Sequence, residues 1–265
     1  MPIVFSALTP HPPILIPEIG KDHLSTIPQT CEAYAALEQQ FYAAKPESVV
    51  IISPHGTILD DSFSINLSAS YTATFKQFGD FSLEMKFRSD YMSIQEIRAG
   101  DETRTNVPLV LTSQEEIDHG FAVPLYYLLA HLKDLPIIPI TYSGLSYEKH
   151  LEFGKFLHEQ LAKINKRFAV IASGDLSHRL TKDAPAGYSK RGQEFDETLL
   201  KLIGEKNTTG MVEMDSELIT EASECGLRSL LILLGLLSEV DYAPEVLAYE
   251  GPFGVGYATV NFKLS

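Results

Sequence analysis

Three stretches of this chain repeat one pattern, a short apolar run that breaks off into a polar loop carrying a histidine. In residues 48–56 (SVVIISPHG), Val49, Val50, Ile51 and Ile52 are all β-branched and predict a strand buried on both faces. Ser53, Pro54, His55 and Gly56 then end it. Residues 3–8 (IVFSAL) run into Thr9, Pro10 and His11, and residues 168–172 (FAVIA) run into Ser173, Gly174, Asp175, Leu176, Ser177 and His178. A fourth loop histidine, His119, stands between Asp118 and Gly120. Open α/β sheets bind their ligands at the carboxyl ends of their strands, so three histidines delivered there suggest one converging site.

The rest of the pattern supplies the layers around such a sheet. Residues 28–44 have helical spacing, with Pro28 suited to the first turn, and their connection into the strand at Val49 makes a β-α-β crossover. Residues 63–68 and 81–87 alternate as half-buried strands do, and residues 71–80 between them read as a loop over the site. A short helix is expected over 90–98, a turn or exposed loop over 99–106, an apolar run over 107–111 and a helix over 123–132 beginning near Pro124. Residues 137–142 read as a strand in which Pro139 weighs against a fully laddered position. Helices follow over 147–166, 187–203 and 225–237, and an alternating strand closes the chain through Phe262. With no repeat or linker, residues 1–265 read as one α/β domain with a mostly parallel or mixed central sheet flanked by helices.

Composition narrows the partners. At 45% hydrophobic and 21% charged the chain is of ordinary globular type, and its net charge of −14 argues against nucleic acid or an anionic membrane as the main partner. The two cysteines, Cys31 and Cys225, exclude a disulfide framework and a cysteine-rich zinc site. The first residues lack a basic segment followed by a long apolar one, which predicts a cytoplasmic protein.

Of the eight histidines, His23, His131, His150 and His158 fall in or beside amphipathic helices and are expected at the surface or at helix ends. The loop set, His11, His55, His119 and His178, suits two metal ligands and two acid/base groups, because imidazole does both jobs. An iron site of two histidines calls for one carboxylate. Glu217, Glu221 and Glu224 are candidates, all just before the apolar helix at Cys225, where acidic residues also favour a helix start. Zinc suits the same imidazoles. Other motifs fail: Gly251, Gly254 and Gly256 have the wrong order for a dinucleotide loop, and there is neither an HExxH nor a GxSxG motif. Ser173, Asp175 and His178 crowd into six positions of one loop, which argues against a hydrolase triad.

Taken together, TPHPPILIPEIG, ISPHG, DHGFAVPLYYL and SGDLSH resemble the catalytic β-subunit superfamily of class III extradiol ring-cleavage dioxygenases. The closing YEGPFGVGYA resembles its stand-alone branch, which includes the Memo-like proteins. The resemblance implies a non-haem Fe(II) enzyme that opens a catechol-type aromatic with dioxygen. His11, His55 and Glu224 would hold the metal, His178 would act as acid/base, and His119 would bond substrate. Memo-like relatives place a cysteine before the glycine, here Cys225, and leave open a metal-binding or zinc-dependent protein without oxygenase activity. Tyr71, Phe75, Tyr126 and Tyr188 are candidates for lining an apolar substrate cavity or for ordinary core packing. A homodimer is expected on base rate, with a small partner subunit as a further possibility.

Overall fold

The computed structural model describes residues 2–101 and 107–265; Asp101 is described by its backbone alone. Its strands are β1 (Ile3–Thr9), β2 (Ser48–Ser53), β3 (Phe63–Asn66), β4 (Ser70–Thr74), β5 (Glu84–Ser89), β6 (Leu109–Thr112), β7 (Pro136–Thr141), β8 (Phe168–Ser173), β9 (Tyr242–Glu250) and β10 (Tyr257–Leu264). Its α-helices are α1 (Pro17–Gly20), α2 (Pro28–Ala44), α3 (Tyr91–Asp101), α4 (His119–Leu128), α5 (Tyr147–Leu161), α6 (Lys190–Gly204), α7 (Thr208–Val212), α8 (Ser216–Ala222) and α9 (Leu227–Leu236). None is long and apolar enough to cross a membrane.

The strands form one mixed ten-stranded sheet in the order β4-β5-β7-β2-β8-β1-β10-β9, with β3 on β7 and β6 on β3. The middle five, β5-β7-β2-β8-β1, are parallel, and β10, β9, β4 and β3 each join their inner neighbour antiparallel. The apolar runs are explained by burial on both faces. Val50, Ile52, Val170 and Ala172 point into a cluster with Phe153 and Leu157 of α5 and Leu230 of α9. Their chain neighbours Val49, Ile51, Ala169 and Ile171 point the other way, onto Tyr34 and Leu37 of α2 and Phe121 of α4. Two-residue periodicity thus fills two cores from one strand.

The departures from the sequence reading have local causes. Part of the expected loop over 71–80 is β4, which pairs with β5 from Ser70–Arg88 to Thr74–Glu84, so the strand expected over 81–87 begins three residues later. The helix expected near Pro124 starts at His119, because the Asp118 carboxylate accepts the Gly120 N–H and caps it. Pro139 sits within β7 opposite Ile51 of β2. On the other side of β7, β5 pairs at residues 136–137 and β3 at residues 140–141, so Pro139 falls between those two partners. Residues 99–101 of the expected 99–106 loop continue α3, and residues 102–106 lie outside the described residues.

Candidate metal centre

Everything the sequence placed after an apolar run arrives at the carboxyl edge of the parallel strands. His11 follows β1, His55 follows β2, and Asp175 and His178 follow β8. β1, β8 and β2 are adjacent, so the three loops meet. His119 comes to the same edge as the first residue of α4. Cys225 is brought in by the turn before α9. Its N–H donates to the Asp175 carbonyl at 3.2 Å, and its Sγ accepts the Asp175 N–H at 3.3 Å. Glycine permits that contact, since a Cβ on Gly174 would stand 2.2 Å from the Gly226 Cα.

His11 Nε2 and His55 Nε2 lie 3.1 Å apart, and Cys225 Sγ lies 3.8 Å from His11 Nε2. Among the described residues, His11, His55 and Cys225 are the group whose donor atoms all fall within 4.8 Å of one another. The His119 ring stands 4.4 Å from His55 and 5.4 Å from His11, centroid to centroid. His178 influences His11, His55 and Asp175 electrostatically, and its buried Nδ1 has no hydrogen-bond partner among the described residues. Glu224, by contrast, is turned toward α9, where its carboxylate accepts the Leu227 N–H at 2.6 Å. Glu221 accepts a hydrogen bond from Ser189, and Glu217 lies 3.8 Å from Arg191.

Burial sets the charge state. It holds His11 well below the ordinary imidazole value, with His55 and His178 adding repulsion, and it lowers His55 as well. It pushes His119 down to about 3, helped by His11 and His55. His11, His55 and His119 are therefore neutral, the form that ligates metals. Burial raises Asp118 to about 7 and lifts Asp175 and Glu224 above the usual carboxylate range. It drives the Cys225 thiol well above its ordinary value, with the Asp175 charge adding to the effect.

These donors fit a metal. Two nitrogens 3.1 Å apart both come within reach of one cation at the usual bond length of about 2.0–2.1 Å, and a thiol on the same side adds a third donor. One supporting hydrogen bond and a nearby carboxylate are also present. His11 Nδ1 is 2.9 Å from Ser173 Oγ, and the Asp118 carboxylate lies 3.6 Å from both His55 Nδ1 and His119 Nδ1. A cation there would also displace the thiol proton.

Four residues near the centre were not assigned to it from the sequence: Asp118, Ser173, Asp175 and Phe78. The capping position of Asp118, directly before the helix, was the available signal for one of them. Phe78 reaches the site from outside any histidine loop, its ring 5.0 Å from His119. Of the aromatic candidates, Tyr71 and Phe75 are fully buried in the core and Tyr188 is exposed. Tyr126 lines a cavity of about 420 Å³ between α4 and β5, together with Leu83, Met85 and Leu129. A small cavity of about 70 Å³ adjoins the centre, lined by His55, Thr57, Asn66, Glu116, Asp118 and Thr141. Among the helix histidines, His23 and His131 are exposed, whereas His150 is fully buried and its Nδ1 meets the Ser146 carbonyl at 2.8 Å.

A mixed α/β sheet with histidines gathered over its carboxyl edge defines a class of ligand-binding α/β protein. The particular family follows from comparison. Residues 6–260 match the catalytic LigB subunit of aromatic ring-opening dioxygenase, and the chain belongs to that family. It is 34% identical over 268 residues to protein CA_C1420 of Clostridium acetobutylicum, covering 97% of this chain and 56% of that protein. It is 27% identical over 153 residues to the 2,3-dihydroxyphenylpropionate/2,3-dihydroxicinnamic acid 1,2-dioxygenase of Klebsiella pneumoniae, covering 55% of this chain and 48% of the relative. The chain thus spans about half the length of these curated relatives. An uncharacterised protein of Escherichia coli K12 shares the fold, with a TM-score of 0.66 at 13% identity over 97% of this chain and 99% of the other.

Proposed function

We propose that this protein is a metal-dependent enzyme of the extradiol dioxygenase type, which takes a catechol-like aromatic and dioxygen at a centre held by His11, His55 and Cys225. The observation that carries the proposal is the meeting of two neutral imidazoles, Nε2 to Nε2 at 3.1 Å, from loops 44 residues apart. Family membership and the partial likeness to a dihydroxyphenylpropionate dioxygenase support the reaction class. Fe(II) bound there would supply Lewis-acid and template chemistry.

The chain's own groups divide the remaining work. His178, whose Nδ1 has no hydrogen-bond partner among the described residues, is the group proposed to take a phenolic proton and return it. His119, held neutral, presents a hydrogen-bonding ring to substrate between His55 and the edge of Phe78. Cys225 is preferred to Glu224 as third donor, because the Glu224 carboxylate is engaged by the start of α9. That thiol also favours a second reading, a softer cation such as zinc with no oxygen chemistry.

Anaerobic reconstitution with Fe(II), a panel of catechols and admission of air separate the two readings by oxygen uptake and coloured ring-opened product. His178→Ala is expected to keep its metal and lose turnover, whereas His55→Ala loses both. Silence across the panel with iron bound would support the second reading.

A further inference from the structure

A chain of three residues behind the centre decides which nitrogen of His11 carries its proton. In a regular α-helix the Gly120 carbonyl receives the N–H of residue 124, four positions on. In α4 that residue is Pro124, which has no N–H. The Ser173 hydroxyl, fully buried, donates to the Gly120 carbonyl instead. A hydroxyl has one proton, and a carbonyl has none to offer. Ser173 Oγ is therefore an acceptor toward His11 Nδ1, 2.9 Å away, and Nδ1 must be the protonated nitrogen. That leaves the Nε2 lone pair of His11 facing His55 Nε2 and Cys225 Sγ.

We infer that Ser173 is a positioning residue that locks His11 in the Nδ1–H form, and that Pro124 enables it by leaving the Gly120 carbonyl to the serine. The consequence for ligation rests on the reading of His11 as a metal ligand, but the tautomer itself does not. The hydroxyl stands at the end of β8, beside Asp175 and His178 in a triad-like composition, yet it acts through its partner ring. With the proton fixed on Nδ1, no rearrangement of His11 precedes binding. The bond also holds the ring plane, so the lone pair is aimed as well as exposed.

The test begins with the metal-free protein. ¹⁵N-edited spectra that correlate ring nitrogens with ring C–H protons are expected to show His11 protonated on Nδ1 and bare on Nε2. Ser173→Ala removes the acceptor and should convert His11 to a tautomer mixture, with Co(II) affinity lowered about 10- to 100-fold. Pro124→Ala supplies a competing N–H to Gly120, and a smaller shift in the same direction is expected in both readouts. His11 protonated on Nε2 in the unsubstituted protein, or a His11 spectrum unchanged by Ser173→Ala, overturns the inference. An unchanged spectrum in Pro124→Ala removes Pro124 from it. Correct tautomers in a protein that binds no Co(II) would sink the metal centre and leave the tautomer assignment standing.

Discussion

Replacing Glu224 separates the two candidate third ligands, because the carboxylate and the neighbouring thiol face different partners. The Glu224 side chain is half-buried and accepts the Leu227 N–H at 2.6 Å, at the N-terminal end of α9. Glu224→Ala removes the acceptor from one of the four orphan donors at a helix start, the N–H of the buried Leu227. Loss of such a cap costs about 0.5–2 kcal/mol, and stranding a buried donor costs about 1–3 kcal/mol. The two figures describe the same bond, so about 2 kcal/mol is expected in total. For a domain of this size that lowers Tm by roughly 4–8 °C. Glu224→Gln keeps an acceptor oxygen at the same reach and should cost less than about 1 kcal/mol. Both variants should bind Co(II) or Zn(II) as the unsubstituted protein does, while Cys225→Ala loses affinity. Thermal unfolding of the metal-free proteins and metal titration by isothermal calorimetry give the two numbers. A Glu224→Gln variant as stable as its parent but unable to bind metal would refute this reasoning and restore the carboxylate as ligand.

Three further outcomes follow from the same geometry. Asp118→Asn keeps the cap on α4 but removes the carboxylate 3.6 Å from His55 and His119; stability should hold within about 0.5 kcal/mol while metal affinity falls about tenfold, and equal affinity would dismiss the carboxylate's role. Gly174→Ala would place a Cβ 2.2 Å from the Gly226 Cα, so about 1–3 kcal/mol of strain and a retracted Cys225 are expected, read by urea unfolding and Co(II)–thiolate absorption. Asp196 is buried on α6 between the Ser177 N–H and the Tyr249 hydroxyl, and burial pushes it up to about 7 from an ordinary 3.8. Because the folded value lies above the unfolded one, the penalty is absent below about pH 4 and grows as pH rises to about 7, reaching at most about 4 kcal/mol. Asp196→Asn should flatten that part of the stability profile, and denaturant midpoints at pH 5 and pH 8 that change equally in both proteins would contradict it.

How much of this was legible in the chain depends on how local each cause is. The strands at Val49 and Ala169 were readable because burial on both faces demands uninterrupted apolar residues, whatever packs on them. The histidine loops were readable for the same reason, since an apolar run that stops in Pro, Gly or Ser marks a strand's end. β4 was missed because its exposed and buried positions serve a hairpin edge, where polar residues are tolerated. The start of α4 was misplaced because Pro124 reads as a first-turn residue, while the Asp118 cap and the Ser173 hydroxyl make an interior proline acceptable.

The sequence alone determined the α/β class, the sheet's inner strands and the four histidines worth following, because each rests on the periodicity or the chemistry of a short segment. Only the tertiary structure decided that Cys225 sits beside His11 while Glu224 caps a helix. Adjacent residues in a turn point in opposite directions, and which of them meets the histidines is set by the packing of Gly174 against Gly226, 52 positions apart.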